Sequence, residues 1–245
     1  MPVLISQDGR WWWNGTQWRS RVVEGRLDLF WFTSTPEWFA RAVIIGLIGL
    51  IPIVGTINLL GWTLTATDMV RRGWKELPPA GFQYLERGVA PFVVGLVYGV
   101  LLFLVVGILA FFTLVFAMSG RTHLAIAIGF ALVIFLFVLA WWLISLYLFA
   151  AVLVAADRLG IAKAVDPTRL FALARANHDI SLHVALVYAA ASIAIVAIGV
   201  ATSFIVPFSS LVVSLGLPAV YAMVVPNLVA FRVETAPSLP PTGPV

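Results

Sequence analysis

The chain has 245 residues, of which 62% are hydrophobic and 11% charged, with a mean hydropathy of +1.03. A soluble domain carries about 25% charged residues, and a chain this size has no means of hiding so much apolar surface from water, so lipid is the expected solvent. Cysteine is absent, which excludes a disulfide framework, a thiolate nucleophile and a thiolate zinc site; the net charge of +4 sits beside the apolar runs, which points to anionic headgroups and away from nucleic acid.

Residues 1–35 read as a Trp-rich cytoplasmic leader. It has no apolar core of the kind a cleavable signal needs, so it is expected to be retained. Trp11-Trp12-Trp13 and Trp18 flank Asn14-Gly15, a pair that tolerates positive φ and predicts a small β-hairpin with a type I′ turn. Thr35-Pro36-Glu37 then reads as a helix start, with a capping hydroxyl, a proline in the first turn and an acid near the positive end. Residues 36–232 are expected to form the membrane domain, and 233–245 a disordered Pro-rich tail.

No Asp, Glu, Lys or Arg occurs in Ala42–Thr67, Gly88–Gly120, Thr122–Ala156 or Ile180–Phe231. A spanning helix needs roughly 20 apolar residues, so the second and third runs predict one span each and the last predicts two. The first run is different. Pro52 and Gly55 interrupt its middle, where proline removes a hydrogen bond and glycine permits a bend. If it crosses, Lys and Arg divide six against nine between the two sides; if it returns, fourteen lie on one side and Arg121 alone on the other. The positive-inside rule favours return. The expected fold is therefore an all-α integral membrane protein with four full spans and a broken, re-entrant helical hairpin, both termini facing the cytoplasm.

Two polar connections follow on the cytoplasmic side. Gly81–Arg87 and Asp166–Arg175 each alternate apolar and polar residues in the manner of interfacial amphipathic helices. Pro218 and Pro226 predict a kink or break in the last span. Trp141 and Trp142 lie inside the third charge-free run, short of its inner end, and read as packing residues.

The sequence is sparse in chemistry. No Gly-x-Ser-x-Gly or glycine-rich phosphate motif occurs, and the spans hold none of the ionisable groups that ion-coupled transporters carry. Asp179 and His183 stand four apart on one helix face, a spacing that suits metal but supplies two ligands only; a polar helix start is the better reading. No enzyme activity, cofactor or metal is expected. The candidate functional positions are the hairpin tip or polar groove (Pro52, Gly55, Asn58, Thr63) and a cytoplasmic interface (Arg71, Arg72, Glu76, Arg169). The expected partners are a bilayer with anionic headgroups and either another membrane protein or a second copy of the chain.

The run Leu50-Ile51-Pro52-Ile53-Val54-Gly55, with Gly61-Trp62, Arg71-Arg72-Gly73, Glu76-Leu77-Pro78, Phe82 and Gly88, resembles the prokaryotic membrane family named domain of unknown function 4013. The resemblance covers roughly residues 30 to 230. Trp62-Thr63-Leu64-Thr65 departs from it, since the family more often has an aromatic followed by a basic residue. The leader from Asp8 to Trp18 is similar to a short Trp-rich bacterial motif. Together these imply a multi-pass bacterial membrane protein and name no reaction. A non-enzymatic scaffold, assembly or regulatory component is the leading expectation; a transporter of a small solute or lipid is the alternative.

Overall fold

The computed structural model describes residues 11–13, 18–20, 29–74, 76–119, 123–202 and 209–233. Eight helices occur among them: α1 (Trp38–Gly49), α2 (Val54–Arg71), α3 (Leu85–Met118), α4 (Leu124–Leu159), α5 (Ile161–Ala164), α6 (Pro167–Ala176), α7 (His178–Thr202) and α8 (Ser209–Ala230). Four of these, α3, α4, α7 and α8, are long and apolar enough to cross a membrane, as the charge-free runs predict. The chain is a membrane-embedded, all-helical protein. In the leader, Trp11–Trp13 pairs antiparallel with Trp18–Ser20. The register sets Trp13 opposite Trp18. The turn itself and the tail from 234 lie outside the described residues.

The first charge-free run folds as two helices, α1 and α2, packed together and joined by Leu50–Ile53. Ile53 sits at φ 65°, ψ −60°, and the Val54 amide donates to Pro52 O at 2.7 Å. This is a three-residue γ-turn of the rarer hand, and it is strained for a β-branched side chain. Gly55 follows it because a Cβ there would strike the backbone of Ile48 and Gly49 on α1.

Helix α2 is the buried centre of the molecule, with Asn58, Trp62, Thr63 and Ala66 fully enclosed. It packs on α1, α3, α4 and α8. The link after α2 turns back along it. Thr35 Oγ1 accepts from the Leu77 amide at 3.0 Å, the Arg41 guanidinium donates to Leu77 O, and Trp62 Nε1 donates to Pro78 O at 3.3 Å. The backbones of α2 and α3 then meet at Gly61 and Gly88, where a Cβ on the first would hit Tyr84 O and on the second Ile57 O.

These contacts correct three expectations. Thr35 does not cap α1: its hydroxyl serves Leu77, and the helix starts after Glu37 in a left-handed conformation (φ 59°). Gly81–Tyr84 is a turn and not a helix, with Gly81 O bonded to Asn58 of the hairpin, and Leu85–Arg87 is already the first turn of α3. The expected break in α8 is absent, since Pro218 and Pro226 lie within one continuous helix; neighbouring helices compensate the lost amides of proline within membrane bundles.

Helices α3 and α4 form a long antiparallel pair. Their 34 and 36 residues rise about 50 Å, more than a hydrocarbon core of about 30 Å. Gly160 (φ 79°) then reverses the chain, and Tyr98 Oη donates to Val165 O at 2.8 Å to hold the reversal. Trp141 packs on Tyr98 and Phe137. Helix α6 buries Leu170, Leu173 and Ala174 and leaves Arg169, Phe171 and Arg175 outside. Asn177 ties its end to α8, donating to Arg232 O at 2.8 Å and accepting from the Arg232 amide at 2.9 Å.

The α2–α3 crossing has no room for a methyl group. Gly88→Ala is expected to cost roughly 3 kcal/mol or to displace α3, while Gly107→Ala, with open space around it, should leave thermal unfolding in detergent unchanged.

Candidate functional site

The densest polar constellation gathers where α2 and α4 end and α3 begins. Arg87, in the first turn of α3, donates through Nη2 to Asp68 Oδ2 at 2.7 Å and to Asp157 Oδ2 at 2.9 Å. Its Nε reaches Asp157 Oδ1 at 2.9 Å. Arg158 Nη2 donates to Asp68 Oδ1 at 2.9 Å, with Nε 3.5 Å from Asp157 Oδ2. Arg71 completes the set, 3.5 Å from Asp68 and donating to Leu228 O of α8 at 3.0 Å. Three guanidinium groups thus share two carboxylates, and Arg87 bridges both. Burial, then repulsion from Arg158, lowers the Arg71 pKa from its ordinary value.

Arg72 ends α2, and Gly73 (φ 90°) follows it in a Schellman turn. The Trp74 amide donates to Met69 O and the Gly73 amide to Val70 O. The turn presents Trp74 outward, with 63% of its surface exposed. Glu76 is exposed beyond it. Arg169 lies exposed on α6, where Asp166 caps the helix through the Thr168 and Arg169 amides. The Thr168 hydroxyl, bonded to Asp166 at 2.6 Å, is the main cause of that carboxyl's lowered pKa.

The hairpin residues are distributed differently. Pro52 is exposed at the tip and Gly55 is buried against α1. Asn58 Nδ2 donates to Gly81 O at 2.9 Å, while its enclosed Oδ1 has no partner among the described residues. Thr63, Thr65 and Thr67 each donate to the carbonyl four residues back on α2. These hydroxyls are satisfied within their own helix. His178 Nδ1 lies 3.1 Å from Tyr147 Oη, and the described residues hold no group of three His, Asp or Glu side chains that could bind metal.

A family model described as "Protein of unknown function (DUF4013)" matches residues 44–207. The chain belongs to this family. No curated protein and no solved structure matches it. The DUF4013 match covers most of the hairpin, the folded-back link, all of α3 and α4 and both carboxylates of the charged knot. Of the cytoplasmic-interface candidates legible in the sequence, Arg71, Arg72, Glu76 and Arg169, the knot uses only Arg71. Asp68, Arg87, Asp157 and Arg158 flank the charge-free runs, and their position at span ends is the only signal of them in the sequence.

Arg87→Leu leaves both carboxylates short of a partner and is expected to cost roughly 2 kcal/mol, between the values for surface and buried pairs. Arg158→Gln, at a side chain 45% exposed, should cost less than about 1 kcal/mol. Thermal unfolding in detergent measures both.

Proposed function

We propose that this DUF4013 protein is a non-enzymatic scaffold, assembly or regulatory component of the cell membrane. The observation that carries this reading is the α3–α4 arm. Buried residues on α3 end at Val94, and on α4 they resume at Leu146 apart from Ala127. Between those points the helices pack on each other, with Phe112 and Phe116 stacked on Phe130. Phe103 and Phe111 stand 75% and 62% exposed. Such an arm offers a second membrane helix, from another protein or another copy, an extended packing face.

The α1–α2 hairpin is read as re-entrant. Helix α1 has 12 residues and rises about 18 Å, short of the hydrocarbon thickness. Both its start and the middle of α2 are bonded to the same link, which supports return to one side. With fourteen of fifteen Lys and Arg then on one face, both termini fall in the cytoplasm. A transporter is the second reading, and the unpartnered Oδ1 of Asn58 favours it, since broken helices line substrate sites in several transporter folds.

Photo-cross-linkers at Phe103 and Phe111 are expected to trap one adduct of constant mass, present in a stoichiometric complex purified in mild detergent. A monomer with no adduct at either position would overturn the scaffold reading. So would solute flux by the chain alone in liposomes that is lost in Asn58→Leu.

A further inference from the structure

The charged knot has more donors than its carboxylates accept. All four oxygens of Asp68 and Asp157 are already bonded, by Arg71, Arg87 and Arg158. A guanidinium has five N–H donors, and among the described residues the Nη1 groups of Arg87 and Arg158 have no acceptor. The group carries one net positive charge, three guanidinium groups against two carboxylates. Arg158 is the outward member, with 45% of its side chain exposed. The carbonyl ends of α2, α4 and α8 temper the field there, yet they leave the outward N–H edges unanswered.

The neighbouring feature indicates what faces this surplus. Trp74, held out by the Schellman turn three residues after Arg71, is an exposed indole that follows the end of α2, the helix that carries Asp68 and Arg71 of the knot. Indole rings settle at headgroup depth, and guanidinium groups bind phosphate oxygens in pairs. We propose that Arg158, backed by Arg71 and Arg87, binds the phosphate of one anionic phospholipid, with Trp74 alongside its glycerol region. This rests on the reading that places the polar links at the inner headgroups, and it is independent of the scaffold assignment. The chemistry recognised is a phosphoryl anion, and the committed source is lipid.

The test is native mass spectrometry of the full chain from mild detergent containing equal amounts of phosphatidylglycerol and phosphatidylcholine. One phosphatidylglycerol per chain should survive delipidation, and Arg158→Gln should lower its occupancy about tenfold, the effect of one charged hydrogen bond. Trp74→Ala should lower it several-fold, and Arg169→Gln, on α6, should leave it unchanged. Equal retention of both lipids, or occupancy indifferent to Arg158→Gln, overturns the site. Full displacement of lipid by inorganic phosphate overturns the lipid assignment. If Arg158→Gln fails to fold, Trp74→Ala decides: unchanged occupancy rejects the proposal.

Discussion

At Gly61 and Gly88, helices α2 and α3 touch backbone to backbone, and much of the remaining arrangement follows from that contact. In lipid, helices gain no hydrophobic free energy from meeting one another, so association rests on close packing and polar contacts. The crossing places the first turn of α3 beside the middle of α2. The connecting link must therefore run back along α2, which is how Leu77, Pro78 and Gly81 come to bond Thr35, Trp62 and Asn58. From this position Arg87 reaches Asp68 on one side and Asp157 on the other. The knot is thus a consequence of the crossing, and it ties three helices that glycine alone would only allow to approach.

The enclosure of α2 meets a further requirement. An interrupted helix frees backbone groups that need protein partners where water is scarce, and at the tip local bonds such as Val54 N to Pro52 O and Gly55 N to Ile51 O supply them. Around α2 itself, α1, α3, α4, α8 and the link supply the cover, and the threonines of α2 bond inward to their own helix. The strained γ-turn at Ile53 stays at the exposed tip, outside that cover.

The four long helices were legible because charge-free runs of known length leave little choice in lipid. Pro52 and Gly55, set against the Lys and Arg count, marked the two-helix fold of the first run for the same reason. The polar contacts were not legible. The hydroxyl of Thr35 looks like a helix cap until its partner, 42 residues away, is seen. Gly81–Arg87 has amphipathic spacing, but its neighbours are α2 and the hairpin, so periodicity alone misassigned it. Asp68, Arg87, Asp157 and Arg158 are single charges at span ends; pairing across 19 and 70 residues leaves no local pattern. The prolines of α8 illustrate the converse, since a breaker in water is tolerated where neighbouring helices supply the packing.

The account depends most on the return of the hairpin, which puts the leader on the same face as both polar links. The chain has no native cysteine, so Glu76→Cys, Arg169→Cys and His123→Cys each give a single reporter for a membrane-impermeant maleimide. On intact cells and inverted vesicles, positions 76 and 169 are expected to label from the cytoplasmic side and position 123 from the opposite one. A fourth reporter, Glu37→Cys at the exposed start of α1, is expected to label from the same side as position 76; labelling of positions 37 and 76 from opposite sides would mean that the first charge-free run crosses the membrane, and would contradict the account.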